Sequence, residues 1–264
     1  HTIPTGVAVC VDKTNCDESL ADVYKRARNV DPLSSFGDFI ACSGHIDEKM
    51  AEYISKVVSD GIIAKSYSKE ALDILSNKKG GNYVVLSGEQ IDFEKPSREY
   101  RSMYGLSLVQ DYDNTLFNRS LLKNIVTDKR TTTIQNIEDM IIASVSLKYA
   151  QSNSIAFAYN GQIIGIGAGQ QNRLDCIRLA GQKALLWFMR NDNDFNECVD
   201  NELIRLGKTD ASKQEKITIM YDYARNLSVA DNAIYRNCMK NVVMSSDGFL
   251  PFADTVEIAN KYGI

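Results

Sequence analysis

Histidine is nearly absent: the 264 residues hold only His1 and His45. Any mechanism that needs an imidazole has those two to choose from. A Ser-His-Asp hydrolase would also need a G-x-S-x-G elbow, and none occurs. The zinc deaminase signature, His or Cys with Glu two residues on and P-C-x-x-C further along, is missing too. No Walker A loop and no stripe of basic and aromatic residues is found. No apolar run approaches the roughly 18–20 residues of a spanning helix. Neither sign of charge dominates: 30 Lys and Arg against 34 Asp and Glu give −4, no electrostatic footprint for nucleic acid or an anionic membrane. Four prolines and 16 glycines exclude collagenous and low-complexity classes. Cys10, Cys16, Cys42, Cys176, Cys198 and Cys238 form no C-x-x-C pair and are too sparse for a secreted scaffold. They are expected to be reduced thiols in a soluble, cytoplasmic protein, mostly small core fillers. The chain starts on His1 with neither Met nor leader, so a cleaved leader stays open.

What is present is an ordinary globular composition, 44% apolar and 24% charged, long enough for one large domain or two. Leu20, Val23, Tyr24 and Ala27 recur at helical spacing and predict a helix over 17–29. A second is expected over 48–58, stopping at Ser59-Asp60-Gly61, and a third from the N-cap Ser68 to about Asn77. Gly61-Ile62-Ile63-Ala64 and 82–86 read as strands between them, which argues helices layered on a sheet. The stretch 90–133 joins two halves, with possible strands at 104–110 and 120–126. Ile137, Met140, Ile141, Val145 and Leu147 mark a helix to about Ala150. Asn160-Gly161 between the apolar runs 155–159 and 162–166 predicts a hairpin. A buried helix over 172–190 follows, then a charged helical insertion over 191–240, a strand at 242–244 and a helix from Asp254.

Gly165, Gly167 and Gly169 do not make a dinucleotide fingerprint, because Gln170 and Asn172 stand where another glycine is needed. Two readings stay open. The glycines let backbone approach an anion held by the next helix's N-terminus and the Arg173 fork, or they make a tight turn beside an exposed Arg. Asn153 in Ser152-Asn153-Ser154 is a turn former or a ligand. Ser34-Ser35-Phe36-Gly37-Asp38 is packing plus a turn, or a site. Asp60 caps locally or faces a ligand; an acid at a helix C-terminus is unfavourable for the dipole and tilts it to function. His45, in Ser43-Gly44-His45-Ile46-Asp47, reads as a solvated loop residue.

Taken together, several segments resemble the transformylase domain of the AICAR transformylase/IMP cyclohydrolase family. They are Ser34-Ser35-Phe36-Gly37-Asp38-Phe39, Val58-Ser59-Asp60-Gly61-Ile62-Ile63-Ala64, Tyr104-Gly105-Leu106 and Gln151-Ser152-Asn153-Ser154. The match goes on through Gly165 to Arg173, Arg178-Leu179-Ala180-Gly181, and Ser246-Asp247-Gly248-Phe249-Leu250-Pro251-Phe252. They stand in family order along nearly the whole chain. The resemblance implies a duplicated cytidine-deaminase-like three-layer α/β/α domain without zinc, with a small helical insertion. Residues 1–120 would be the first deaminase-like subdomain, 121–190 with 241–264 the second, C-terminally incomplete, and 191–240 the insertion. It also implies formyl transfer from 10-formyltetrahydrofolate, as cosubstrate, to the 5-amino group of AICAR in purine biosynthesis. The family works as a homodimer with active sites at the interface.

By resemblance, His1 is the catalytic imidazole and Asn153 the amide beside the transferring formyl group. Gly37, Asp60, Arg173 and Phe249, with Asn153 again, match positions contacting the nucleotide. Leu33, Ser34, Phe36, Leu174, Pro251, Phe252 and Asp254 match the folate side; Leu33 stands where the family usually has Met. The Lys that precedes the catalytic His, an upstream Arg-Tyr-Gly segment and an Arg-containing C-terminal segment are not in the sequence. The expectation is a transformylase domain cut at both ends, with a catalytically incomplete nucleotide- or folate-binding fragment as the alternative.

Overall fold

The computed structural model describes residues 3–11, 19–88, 97–128, 131–226 and 235–264. Helix α1 (Leu20–Arg28) leads into a parallel sheet of β1 (Asp38–Ile46), β2 (Ser59–Tyr67) and β3 (Val84–Ser87), in that spatial order. Parallel neighbours require crossovers, which α2 (Glu48–Ser55) and α3 (Lys69–Ser76) supply. The side chains of Ser19, Asp47 and Ser68 cap the three helices by accepting the N–H groups of Asp22, Met50 and Ala71. Tyr24, Ile40, Ile46, Met50, Ile54, Ile62 and Leu75 form the core beneath them. Each such side chain contributes roughly 1.5–3 kcal/mol by leaving water.

Next comes a hairpin, β4 (Arg98–Met103) and β5 (Leu106–Asp111), turned at Tyr104 (φ 49°) and Gly105 (φ 78°). Two positive φ values in a two-residue loop suit the right-handed twist of the strands. The strand expected over 104–110 thus begins at Leu106, and Tyr104 is the turn. The strand expected over 120–126 is instead a 3-10 turn at Arg119–Leu122, capped by the Asn118 side chain. Local side-chain-to-backbone bonding offered the chain an alternative to a sheet ladder.

The second sheet runs from β6 (Ser154–Tyr159) and β7 (Gln162–Ala168) to β8 (Val243–Ser246), antiparallel with β6 central. Ala8 bridges Gln162, so the start of the chain adds to the open side of β7. Helix α4 (Ile134–Lys148) covers one face, packing Ile142 and Leu147 on Ala156, Ala158 and Ile163. Helix α5 (Arg173–Arg190) covers the other, packing Cys176, Ile177 and Ala180 on Ile155, Phe157 and Ile164. Both faces are buried, so both strands read as unbroken apolar runs. Asp139 of α4, 1% exposed, accepts the N–H groups of Asn160 (3.0 Å) and Gly161 (2.8 Å) and so fixes the hairpin turn. The insertion forms α6 (Asn193–Arg205) and α7 (Lys213–Arg225); residues 227–234 of it lie outside the described residues. Helix α8 (Ala253–Lys261) ends the chain against α5 through Tyr262, which stacks beside Gly181.

Strand β1 was not expected: 34–38 reads as a turn and His45 as a loop residue. Only Ile40 and Ile46 of that strand are buried, and Ser43-Gly44 breaks the apolar alternation. His45 is exposed as expected, but in a strand, with Nδ1 2.8 Å from Ser66 Oγ. The second helix ends at Ser55 rather than Val58, giving Ser59 and Asp60 to β2. The cysteines also differ from expectation. Cys10 is disulfide-bonded. Of the free thiols Cys42, Cys176, Cys198 and Cys238, Cys176 alone is buried.

Candidate active site

Asn153 sits in the turn from α4 to β6, after a cis Ser152–Asn153 peptide. Its Nδ2 donates to the carbonyls of Gln170 (3.2 Å) and Gln171 (3.4 Å) in the turn from β7 to α5. From below, the Cys176 thiol donates to the Asn153 carbonyl at 3.1 Å. Gly169 N–H donates to Gln151 O at 2.8 Å. The two turns therefore form one platform at the end of β6 and β7.

Arg173 opens α5 on that platform. Its guanidinium is ion-paired with Asp247 and donates to Ser154 O at 3.3 Å. The Asn172 side chain caps the helix by accepting Asp175 N–H, so that end of α5 already carries a polar acceptor and an acid. Arg173 is thus neither a bare fork nor a solvated turn residue. Asp247 follows β8 and is held by Ser154 O through its own N–H (3.2 Å). The chain then presents Phe249 and Phe252, 83% and 71% exposed, with Pro251 exposed between them. Asp254 lies in the first turn of α8, and Leu174 is half-buried beside Arg173.

A second group lies on the first sheet. Phe36 is 55% exposed and Ser34 exposed, on the turn between α1 and β1, while Leu33 packs on the core of α5. Gly37 N–H donates to Val58 O at 3.1 Å, and Asp60 Oδ2 lies 3.9 Å from where a Cβ at Gly37 would stand. Asp60 is in β2, ion-paired with Lys79, so the helix-end argument for it does not hold. Among the described residues no hydrogen bond or ion pair joins this group to that of Asn153 and Arg173. His1 lies outside the described residues. Ser34 also lines a cavity of about 280 Å³ with Pro4, Thr5, Asp31 and Lys183.

Among known proteins, a family model described as the AICARFT/IMPCHase bienzyme matches residues 1–183. The chain belongs to that family. It is 32% identical over 264 residues to the bifunctional purine biosynthesis protein PurH of Acetivibrio thermocellus, covering 100% of this chain and 40% of that protein. For the protein of the same description from Oceanobacillus iheyensis the identity is 33% over 264 residues, with the same coverages. For that of Ruminiclostridium cellulolyticum it is 34% over 206 residues, 76% of this chain and 38% of the relative. The chain thus spans about two fifths of the length of these relatives.

Three partners of the expected site residues went unnoticed in the sequence: Lys79 beside Asp60, Asp247 beside Arg173, and Asp31 beneath Ser34. Asp247 is inside the Ser246–Phe252 segment, but it meets Arg173 across 74 residues and only through folding. Lys79 had no local signal, since it meets Asp60 only through folding, whereas Asp31 lies three residues before Ser34 and an Asp followed by Ser at that spacing is a local turn signal. Among the described residues no group of three or more His, Cys, Asp or Glu is placed to hold a metal ion. No described helix is long and apolar enough to cross a membrane.

Two carboxyls give this AICARFT/IMPCHase-family chain an acid limit. Burial pushes Asp31 up, but the Lys183 ammonium and hydrogen bonds from Lys183 and Ser34 outweigh it and hold the carboxyl low. For Asp247 burial is likewise outweighed, by hydrogen bonds from Ser152 and Arg173. Unfolded, both titrate near about 3.9. Their folded values lie lower, so their stabilisation is complete above that pH and drains as pH falls below it. Melting temperature followed from pH 5 downward should therefore drop below about pH 4, and Asp247→Asn should flatten that drop while lowering the plateau.

Proposed function

We propose that this chain is the transformylase part of a bifunctional purine-biosynthesis enzyme, a phosphoribosylaminoimidazolecarboxamide (AICAR) formyltransferase. It takes the formyl group from 10-formyltetrahydrofolate as cosubstrate, without zinc, in the cytoplasm. The observation that carries this is the placement of the matched residues. Every described one lies in two groups, each pairing exposed aromatic side chains with an ion-paired charge: Phe36 with Asp60, and Phe249 and Phe252 with Arg173. Flat heterocycles bearing an anionic tail fit such surfaces.

The AICAR amine is a poor nucleophile, because its lone pair is conjugated with the ring and carboxamide. His1 removes its proton as nitrogen attacks the formyl carbon, help worth about 10²–10⁴-fold. Negative charge then gathers on the formyl oxygen, where the Asn153 amide donates. Its present bonds, at 3.2 and 3.4 Å, are long and cheap to exchange. The bond from the formyl carbon to N10 of the folate breaks, and the proton returns to that nitrogen. Phe249 stacks on the imidazole ring, while Gly37, Asp60 and Arg173 hold the rest of the nucleotide. Leu33, Ser34, Phe36, Leu174, Pro251, Phe252 and Asp254 hold the folate.

Among the described residues no hydrogen bond or ion pair joins the two groups, and we read the site as one shared in a homodimer, in which one copy brings Gly37 and Asp60 to the partner's Asn153 and Arg173. The β4–β5 hairpin, with Tyr100, Leu106 and Leu108 exposed, is a fitting arm for that contact. The layered second sheet and the parallel first sheet support the duplicated deaminase-like reading, with subdomains over 1–120 and over 121–190 plus 241–264. Residues 191–240 are the insertion. The test is formation of formyl-AICAR from AICAR and 10-formyltetrahydrofolate by the protein with its native flanks. No product at any folate concentration would sink the proposal.

A further inference from the structure

Asp31 is 4% exposed, yet its carboxylate is where three parts of the fold meet. From α7, the Tyr221 hydroxyl donates to Oδ1 at 3.0 Å. From α5, Lys183 Nζ lies 3.0 Å from Oδ2. From the turn itself, Ser34 donates twice, Oγ to Oδ2 at 2.8 Å and N–H to Oδ1 at 3.2 Å. One step upstream, Arg190 at the end of α5 donates to Asn29 Oδ1 (3.1 Å), Asn29 O (2.8 Å) and Val30 O (3.1 Å).

A carboxylate is costly to bury unless its lone pairs are filled, and here four donors fill them. The cost is offset only if the donors keep their places, so the cluster is stiff. What it stiffens is the backbone from Asn29 to Ser34, and from this stem Leu33, Ser34, Phe36 and Gly37 project. Tyr221 is itself 7% exposed, and burial raises its hydroxyl well above the usual tyrosine range, so it remains a donor at neutral pH. The insertion that looks like an appendage in sequence therefore reaches the folate-side turn through one hydroxyl.

We propose that Asp31, Lys183 and Tyr221 are positioning residues for the formyl donor, and that the α6–α7 insertion sets donor affinity through Tyr221. They touch no reacting atom; they hold Ser34 and Phe36 where the folate would lie. This rests on the formyltransferase reading above, and the test separates the two.

The experiment compares wild type with Tyr221→Phe, which removes one hydroxyl and keeps the ring, in the protein with its native flanks. KM for 10-formyltetrahydrofolate should rise about three- to tenfold, the net size of one ordinary hydrogen bond, while KM for AICAR and kcat stay near wild type. In parallel, amide hydrogen exchange should quicken at Ser35 and Phe36 but not in β6 or β7. Donor and AICAR KM moving together, or a lower melting temperature with donor KM unchanged, would overturn the positioning role. If wild type transfers no formyl group, the functional reading fails. Exchange then decides the brace by itself: quickening at Ser35 and Phe36 supports it, and no change in Tyr221→Phe removes it.

Discussion

Gly167→Ala is expected to destabilise the protein by about 3 kcal/mol or more, although it adds one methyl group. A Cβ at 167 would stand 2.0 Å from Cys176 O and 2.8 Å from Cys176 C, both backbone atoms of α5. The same ridge meets Gly165, where a Cβ would lie 2.2 Å from Ala180 O and 3.0 Å from Ala184 N. Backbone cannot rotate aside as a side chain does, so α5 would have to lift off β7 along two turns. Lifting it opens the core of Ile155, Phe157 and Ile164, which α5 closes. For a chain of this length that corresponds to a fall in melting temperature of about 6–12 °C. Gly169→Ala is the control. It has a positive φ of 67° but no atom nearer than 3.7 Å, so it should cost only about 1–3 kcal/mol of backbone strain. Thermal or denaturant unfolding of both variants measures the difference. If Gly167→Ala stayed as stable as wild type and lost only AICAR binding, the glycines would serve the ligand rather than the helix.

That result would also decide between two uses of one sequence signal. The glycine cluster stands out in the sequence, but glycine lets backbone approach either a ligand or a helix, and the spacing cannot say which. The structure gives Gly165 and Gly167 to α5. Elements with strong local chemistry were legible: Asn160-Gly161 as a hairpin turn, Ser68 as an N-cap, the unbroken apolar runs of β6 and β7. Strand β1 was not, because half its residues face solvent and its centre is Ser43-Gly44. The partners of the site were hidden for another reason. Asp31 and Tyr221 are 190 residues apart, and nothing local marks a carboxylate that will be buried under a helix so far along the chain. Chain-length resemblance supplied candidate site residues where local periodicity could not, yet it passed over the residues that hold them.

Asn153→Asp carries the largest expected effect on turnover. Aspartate keeps the shape of asparagine, removes the Nδ2 donor and sets a negative charge where the formyl oxygen gathers its own. Loss of one such donor lowers kcat by about 10²–10³-fold, and the added charge works in the same direction. Binding should change far less, since in the proposed site AICAR is held chiefly through Arg173, Gly37, Asp60 and Phe249, none of which bonds to Asn153. Stability should fall by about 1–3 kcal/mol, since the carboxylate would face the Gln170 and Gln171 carbonyl oxygens that the amide now serves, but not further. The amide's two bonds are long, and the Asn153 backbone stays anchored by the Cys176 thiol and by Gly169 to Gln151. Steady-state kinetics with both substrates, beside a melting curve, gives the three quantities. A loss of kcat no greater than the loss of folded protein would make Asn153 a structural tie between the α4–β6 and β7–α5 turns, and the donor to the formyl oxygen would have to be sought elsewhere on that platform.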